Sequence, residues 1–401
     1  MTVEHGEERP FARRMRGPAR LGYGWRMQNP VRMRACLLAC IGLLAVSFAA
    51  HAAGPDAETA RLIAELGLKE SATALADRPG WAPPKKVVIA GADAARLAWM
   101  QAAVPGLTLL PAKDRAQAAT LAADADAVIG FCTPEVLAAG ARLRWIQVLS
   151  AGVERCVGIP GFAARGIALS NMQKVAGPVM SEHVLAFLFG LTRGLATYVP
   201  LQAQGVWKDD AVPDARMWSI EGKTMLVVGL GGIGTETAKR AHALGMNVIA
   251  VRNSGRTGPP YVAEVGLGAD LIAFAARADV IVNTLPLTAE TKQLFDHVFF
   301  DAAKRGALFI NVGRGASVVT ADLIAALEDG RIGGAGLDVT DPEPLPADHP
   351  LWRAPNVLIT PHVSASTDLG EEPRWLIARE NLRRFAAGGK LLSEVDVGRG
   401  Y

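Results

Sequence analysis

The stretch GKTMLVVGLGGIGTETAKRAHALGMNVIAVRNSGR, residues 222–256, contains a glycine-rich turn between two segments of regular structure. Residues 225–228 predict a buried strand, residues 235–244 predict a helix, and residues 247–251 predict a second strand. The turn follows the pattern Gly-x-Gly-x-x-Gly, which inside a strand–helix–strand unit is typical of dinucleotide binding. A glycine-rich turn with a purely structural role is the alternative.

The glycines of this turn have different expected roles. Gly229 permits the tight turn, Gly231 lets the backbone approach a pyrophosphate, and Gly234 lets the helix pack closely on the strand. The phosphates would lie at the positive N-terminus of the helix. Gly232 and Ile233, which belong to the same turn, are therefore also candidate cofactor contacts.

The end of the second strand distinguishes NAD from NADP in folds of this kind. An acidic residue there accepts the ribose 2′-hydroxyl of NAD, whereas an arginine accommodates the 2′-phosphate of NADP. Residues 251–256 include Arg252, Ser254 and Arg256 and contain no carboxylate. The charges therefore favour NADP over NAD. In the alternative interpretation, Arg252 is a solvated surface residue.

Strand and helix patterns alternate along the chain on the N-terminal side of this unit. Residues 85–91, 125–131 and 143–152 predict buried strands, and segments of helical length separate them. This alternation indicates an α/β protein with parallel sheets. Residues 178–199 predict one helix that is hydrophobic on more than one face, and we expect it to lie between domains or between subunits.

Four further apolar runs follow, at residues 278–287, 307–319, 334–346 and 356–366. In an open α/β sheet, the carboxyl ends of the strands border the ligand crevice. The residues near these ends are therefore candidate ligand contacts. They are Leu285, Pro286 and Val312 for the cofactor, and Arg314, Glu343 and His362 for the chemistry.

The last three residues fit one reaction. A nicotinamide gives a hydride to a carbonyl carbon only where a group supplies a proton to the carbonyl oxygen. His362 suits that role, and the carboxylate of Glu343 would orient its ring. Arg314 can bind a substrate carboxylate or polarise the adjacent carbonyl, so the set predicts a 2-keto acid reductase or 2-hydroxy acid dehydrogenase. Taken singly, each residue also has a structural explanation.

The first 52 residues differ in composition from the rest. Eight arginines and three glutamates lie in this segment, and an uncharged apolar run over residues 36–50 leads to Ala50-His51-Ala52. This pattern matches a secretory signal cleaved after Ala52 and predicts a periplasmic or secreted protein. An uncleaved membrane anchor is one alternative. A misassigned start at Met27 or Met33, in a cytoplasmic protein, is another.

The composition limits the partners. Without the first 52 residues the chain has 34 basic and 36 acidic residues, so nothing favours a nucleic acid. The whole chain has 401 residues, 50% of them hydrophobic, which is enough for two domains. Cys36 and Cys40 would leave with the signal. Cys132 and Cys156 remain without metal-ligand spacing, so we expect no metal, although one disulfide is possible.

Several ordered motifs resemble the D-isomer-specific 2-hydroxyacid dehydrogenase family, and within it the glyoxylate/hydroxypyruvate reductase-like members. The motifs are GKTMLVVGLGGIG, NTLPLTAETKQLF, INVGRGASV, GLDVTDPEPLP, PNVLITPHVSAS and ENLRRFAAGGKLLSEVDVGRGY. The similarity runs from about residue 85 to the end of the chain. It implies two Rossmann-like domains, a discontinuous flavodoxin-like substrate domain and an inserted dinucleotide-binding domain, and a homodimer formed through the latter.

The resemblance also assigns site residues. It implies that Arg314, Glu343 and His362 are catalytic and that Asp338 contacts the nicotinamide carboxamide. The motif LSAGVERC matches the loop whose backbone N–H groups receive the substrate carboxylate. In this chain the loop consists of Ser150, Ala151, Gly152 and Val153.

These observations define the expected organisation. We expect a signal peptide or anchor over residues 1–52, a helical lead-in over 53–84, a substrate domain over 85–199 and 368–401, and an NAD(P)-binding domain over 200–367. The expected activity is NADP- or NAD-dependent reduction of a small 2-keto acid to the D-2-hydroxy acid, or the reverse. The alternative is a dinucleotide-sensing, corepressor-like scaffold of the same fold. Membrane contact is expected only if the N-terminal segment is uncleaved.

Overall fold

The computed structural model describes residues 54–213, 216–368 and 371–401. The predicted signal or anchor over residues 1–52 lies outside the described residues.

The strands are β1 (Lys86–Ala90), β2 (Thr108–Ala112), β3 (Ala127–Gly130), β4 (Trp145–Val148), β5 (Ala168–Ser170), β6 (Thr224–Val228), β7 (Asn247–Val251), β8 (Glu264–Gly266), β9 (Val280–Asn283), β10 (Ala307–Asn311), β11 (Ile332–Leu337) and β12 (Val357–Ile359). The helices are α1 (Ala57–Leu66), α2 (Ala94–Ala103), α3 (Arg115–Ala122), α4 (Pro134–Ala139), α5 (Glu154–Val157), α6 (Gly177–Thr192), α7 (Leu195–Ala203), α8 (Gly232–Ala243), α9 (Leu271–Ala275), α10 (His297–Ala302), α11 (Thr320–Glu328) and α12 (Glu372–Ala386).

The first sheet has the parallel strand order β2-β1-β3-β4-β5, which is the flavodoxin-like order. Helices α2, α3 and α4 each begin at a side chain that caps the helix. Asp93, Asp114 and Thr133 accept hydrogen bonds from backbone N–H groups of the first turns. The C-terminal helix α12 returns to this sheet, where Trp375, Leu382 and other apolar side chains complete the core.

The second sheet has the parallel order β12-β11-β10-β9-β6-β7-β8. Its six strands from β8 to β11 follow the Rossmann order, and β12 extends the sheet beside β11. The strand order reverses between β6 and β9, and ligands bind at such a switch point. The two parallel sheets confirm the predicted fold class, a pair of Rossmann-like domains.

Helix α6 packs against α8 and the seven-stranded sheet, although the predicted boundary at residue 199 assigns it to the substrate domain. The apolar face formed by Val184, Leu188 and Leu191 lies in the core of that sheet. The prediction of one helix over residues 178–199 is wrong, because Gly194 adopts a left-handed conformation and the chain bends by 78° between α6 and α7. Among the described helices, none alone is long and apolar enough to cross a membrane, although this bent pair passes that test by length and composition.

Candidate active site

Buried amides shape the loop that carries Arg314. Asn283 ends β9 and Asn311 ends the neighbouring strand β10, and both side chains are buried. Asn283 Nδ2 donates to Asn311 Oδ1 at 2.9 Å and to Ser317 Oγ at 2.8 Å. Asn311 Nδ2 and Ser317 Oγ both donate to the backbone carbonyl of Arg314. Since buried amides and hydroxyls require partners, this network fixes the Arg314 loop.

The loop of Arg314 lies directly against the loop that leads to Glu343. A Cβ at Gly315 would overlap the backbone carbonyl of Thr340, so only glycine permits this approach. Thr340 N donates to Glu343 Oε1 at 3.0 Å and orients that carboxylate. The loops after β10 and β11 are therefore held together by backbone contact.

His362 and Glu343 form the hydrogen bond expected of a proton donor and its orienting carboxylate. The distance from His362 Nδ1 to Glu343 Oε2 is 3.0 Å. His362 has a positive φ of 56°, which is uncommon for a residue other than glycine, and its N–H donates to Asp338 O at 2.8 Å. The His362 side chain is 53% exposed. The ring is therefore held in place from one side and open to a ligand on another.

Asp338 holds the loop of His362 in place through hydrogen bonds. Its buried carboxylate accepts hydrogen bonds from Thr360 Oγ1 at 2.7 Å, Val363 N at 2.9 Å and Ser364 N at 3.0 Å. His183 Nε2 lies 2.9 Å from the same Thr360 hydroxyl. These bonds explain the shape of the loop, while the expected contact of Asp338 with the nicotinamide carboxamide stays a prediction.

Arg314 lies across the loop expected to bind the substrate carboxylate. Its Nε donates to Glu154 Oε1 at 2.5 Å, and its Nη1 donates to Gly313 O at 2.7 Å. A Cβ at Gly152 would overlap Arg314 Nη2, so the guanidinium lies directly over the backbone of that loop. The structure therefore brings Arg314 to the predicted substrate loop, with Glu154 as a partner that the sequence did not indicate.

The loop of residues 150–153 presents its backbone N–H groups. Its carbonyl groups have partners, since Ser150 O accepts from Met172 N, Ala151 O from Asn171 Nδ2, and Gly152 O from Ser150 Oγ. By contrast, the N–H groups of residues 151–153 donate to no described residue. Such backbone donors suit an anion, and the Arg314 guanidinium above them adds positive charge.

The glycine-rich turn fits a dinucleotide. Gly229 has a left-handed φ of 99°, and a Cβ at Gly234 would overlap the Gly229 carbonyl. No atom lies within 4 Å of the position a Cβ would take at Gly231, so the backbone there is open to a ligand. Helix α8 begins at Gly232, three residues earlier than predicted, and directs its N-terminus towards that space. The turn lies at the switch point, beside Thr284 and Leu285 after β9.

The two arginines after β7 have different surroundings. Arg252 Nε donates to Ser254 Oγ at 2.8 Å, so these two predicted cofactor contacts lie together. Arg256 Nη1 instead pairs with Asp270 Oδ2 at 2.8 Å. A hydrogen bond from Leu267 N, followed by the Arg256 guanidinium, lowers the pKa of Asp270. Arg252 is therefore the better placed of the two for a 2′-phosphate.

Cys132 and Cys156 form a disulfide with a Cα–Cα distance of 5.4 Å. Cys132 follows β3, and Cys156 lies in α5, directly after the loop of residues 150–153. The disulfide therefore links two neighbouring strand-end loops of the first sheet, one of which includes the predicted substrate loop.

Sequence reasoning did not find Glu154, Asn283, Asn311 or Thr360. Glu154 and Arg314 are separated by 160 positions and lie beside different sheets, so no local spacing indicates their contact. Asn283 and Asn311 are the last residues of apolar strands. A polar residue at the end of an apolar strand is the sequence feature that could have identified them.

Comparison with known proteins agrees with this geometry. The model for the D-isomer specific 2-hydroxyacid dehydrogenase family, NAD binding domain, matches residues 185–364. Glyoxylate/hydroxypyruvate reductase A of Salmonella typhimurium is 31% identical over 282 residues, covering 69% of this chain and 88% of that protein.

Solved structures give the same result. A D-isomer specific 2-hydroxyacid dehydrogenase family protein from Aeromonas salmonicida superposes with a TM-score of 0.67 at 34% identity, covering 78% of this chain and 99% of that one. An NADPH-dependent glyoxylate/hydroxypyruvate reductase from Sinorhizobium meliloti, solved with NADP and sulfate, gives a TM-score of 0.66 at 28% identity, covering 79% and 100%.

Two Rossmann-like sheets, a glycine-rich turn at the switch point and a His–Glu pair beside an arginine define a dinucleotide-dependent oxidoreductase. The chain belongs to the D-isomer specific 2-hydroxyacid dehydrogenase family. It is an oxidoreductase with 2-hydroxyacid dehydrogenase activity, as the sequence predicts.

Proposed function

We propose that this protein reduces a small 2-keto acid of the glyoxylate or hydroxypyruvate type to the D-2-hydroxy acid, with NADPH as the preferred cofactor. The observation that carries the proposal is the 3.0 Å contact between His362 and Glu343, whose loop lies directly against the loop of Arg314. Relatives named glyoxylate/hydroxypyruvate reductase support the substrate class.

Each residue of the site has a different role in the proposed reaction. The nicotinamide supplies the hydride when it is bound. Arg314 and the N–H groups of residues 151–153 hold the substrate carboxylate and turn its carbonyl towards His362. Because Nδ1 of His362 is bonded to Glu343, Nε2 is the nitrogen that exchanges a proton with the substrate oxygen.

A substrate panel tests the proposal. Glyoxylate, hydroxypyruvate, pyruvate and phenylpyruvate are each assayed with NADPH and with NADH, and we expect turnover with at least one of the first two. His362→Ala should lower kcat by about 10²–10⁴-fold, the usual contribution of general acid catalysis, and leave NADPH affinity nearly unchanged. NADPH binding without turnover of any 2-keto acid would contradict the proposal and favour the dinucleotide-sensing scaffold.

The cofactor preference rests on Arg252 and Ser254. A 2′-phosphate would gain at least one charge-assisted hydrogen bond there, worth about 1.5–3 kcal/mol, or about 10–150-fold in affinity. We expect Arg252→Ala to remove most of the NADPH preference in kcat/KM and to bring the affinity for NADPH close to that for NADH. Arg256→Ala should have less effect, because that guanidinium is paired with Asp270. Equal use of NADPH and NADH by the wild type would refute this assignment.

A homodimer is part of the proposal. Five large apolar side chains between residues 189 and 207 are exposed, and they are the candidate contacts of a subunit interface. They are Phe189, Leu195, Val199, Val206 and Trp207, the last with an exposure of 97%. Light scattering should give a dimer mass, and the double variant Val199→Glu/Trp207→Glu should give a monomer. A monomeric wild type would rule out the homodimer.

We also propose export to an oxidising compartment. The signal-like segment over residues 1–52 and the disulfide between Cys132 and Cys156 support this proposal, because disulfides persist outside reducing cytosol. N-terminal sequencing of the protein from its native cell should begin near Ala53. An intact N-terminus in the cytosolic fraction would contradict export.

A further inference from the structure

Glu154 joins the loops that follow strands of the two sheets at the candidate active site. It is the first residue of α5, directly after the loop of residues 150–153, whereas Arg314 follows β10 of the other sheet. The pair is partly shielded, with side-chain exposures of 30% for Arg314 and 26% for Glu154. The carboxylate therefore reaches from the predicted substrate loop to the predicted substrate-binding arginine.

The bond to Glu154 decides which donors of Arg314 face the substrate loop. Nε is bonded to Glu154, and Nη1 donates one hydrogen bond to Gly313 O. Nη2 donates to no described residue and lies over Gly152. If Glu154 released Nε, the guanidinium could rotate about its side-chain bonds and Nη2 would leave that position.

We propose that Glu154 is a positioning residue, which orients Arg314 so that Nη2 faces the bound 2-keto acid. The inference rests on the proposed function, since it needs a substrate whose carboxylate or carbonyl contacts Arg314. An ion pair that served stability alone would affect unfolding and leave substrate kinetics unchanged. A positioning pair affects the substrate and has little effect on stability, because partly exposed ion pairs stabilise proteins weakly.

Two substitutions separate orientation from charge. Glu154→Gln keeps an amide oxygen that accepts a hydrogen bond from Arg314 Nε, so kcat/KM for the 2-keto acid should stay within about threefold of wild type. Glu154→Ala removes the acceptor, and displacement of the guanidinium by about 1 Å should lower kcat/KM by about 10–100-fold. The loss should appear in both KM and kcat, since Arg314 contacts the reacting substrate throughout.

Glu264→Ala is a matched control. Glu264 pairs with Arg277 at 2.6 Å, close to the distance of the Glu154 pair, but it lies at the start of β8, away from the carboxyl ends of the strands. This control should leave kcat/KM unchanged. All three variants should bind NADPH with wild-type affinity, as measured by quenching of tryptophan fluorescence.

The experiment combines steady-state kinetics, NADPH affinity, melting temperature and calorimetric binding of oxamate, an unreactive analogue of a 2-keto acid, in the presence of NADP. We expect weaker oxamate binding only in Glu154→Ala. Wild-type kinetics in Glu154→Ala, or equal losses in Glu154→Gln and Glu154→Ala, would overturn the positioning role alone. A wild type that neither reduces a 2-keto acid nor binds oxamate would overturn the proposed function and this inference with it.

Discussion

At the scale of single residues, position 152 shows how a missing side chain can serve the site. The Arg314 guanidinium occupies the space that a Cβ of residue 152 would need. The backbone of Gly152 has no left-handed conformation, so the requirement for glycine comes from this contact and not from φ. The atoms that would clash belong to the ends of the flexible side chains of Arg314 and Glu154.

Gly152→Ala should therefore impair activity without impairing folding. The methyl group would push Arg314 away from the substrate loop, and we expect kcat/KM for the 2-keto acid to fall at least about tenfold. The melting temperature should stay close to that of wild type, because both clashing side chains can move. Gly106→Ala is the control, since position 106 has open space and an ordinary φ. A marked loss of thermal stability in Gly152→Ala would show that the contact is structural.

The sequence indicates the candidate catalytic residues better than their partners. Arg314, Glu343 and His362 follow apolar strands, and the chemistry of their side chains is specific enough to suggest one reaction. The sequence did not indicate that Glu154 pairs with Arg314, because the contact depends on how the two sheets face each other. The role of Asp338 in holding the His362 loop was missed for a similar reason, since its partners lie 22–26 positions away.

At the scale of elements, the sequence predicted β6 and β7, and the edge strand β12, but it did not predict the edge strands β2 and β8. β6 and β7 are long apolar runs beside a recognisable turn, and their observed bounds agree closely with the prediction. β2 and β8 lie at sheet edges. β8 has only three residues, and two of the five residues of β2 are exposed, so the hydrophobic pattern is weak. β2 also contains Pro111, which is tolerated because an edge strand has one unpaired side.

The disulfide between the loops after β3 and β4 leads to a prediction at this scale. It joins two cysteines 24 positions apart, for which the chain-entropy model gives a stabilisation of about 3.5 kcal/mol. The variant Cys132→Ser/Cys156→Ser should therefore melt at a lower temperature than the wild type. It should also show a higher KM for the 2-keto acid, because α5 carries both Cys156 and Glu154.

Thermal unfolding with and without dithiothreitol gives the measurement. The reductant should lower the melting temperature of the wild type and leave that of the double variant unchanged. Peptide mapping after alkylation identifies the bond directly. Recovery of alkylated Cys132 and Cys156 from the native, unreduced protein would contradict the prediction.

At the scale of the whole molecule, each of the two sheets contains an aspartate that connects the beginnings of two neighbouring strands. Asp126 precedes β3 and accepts hydrogen bonds from Lys85 N and Lys86 N at the start of β1. Asp279 precedes β9 and accepts one from Thr224 N at the start of β6. Arg144 and Lys304 supply the positive partners in the two sheets. Each sheet therefore has a carboxylate at the edge opposite the ligand crevice.

These two carboxylates should make the free energy of unfolding depend on pH in the acidic range. Burial raises the pKa of Asp126, but the hydrogen bonds from Lys85 and Lys86 and the Arg144 guanidinium outweigh it, so its pKa lies below the ordinary value. Burial likewise raises the pKa of Asp279, and Lys304 and Thr224 outweigh that effect. A carboxyl with a lowered pKa in the folded state stabilises it above the unfolded pKa, about 3.9. That contribution is lost as the pH falls through the lower, folded-state pKa.

The free energy of unfolding should therefore decrease as the pH falls below about 4, and Asp126→Asn should reduce that dependence. The variant should be less stable than the wild type at pH 7, because an amide pairs weakly with Arg144, and the difference should shrink at low pH. Urea unfolding of both proteins across this range provides the measurement. Asp348→Asn, at an exposed carboxylate, is the control and should leave the slope unchanged. An equal stability difference at pH 7 and at the acid limit would mean that packing, and not the charge of Asp126, holds β1 and β3 together.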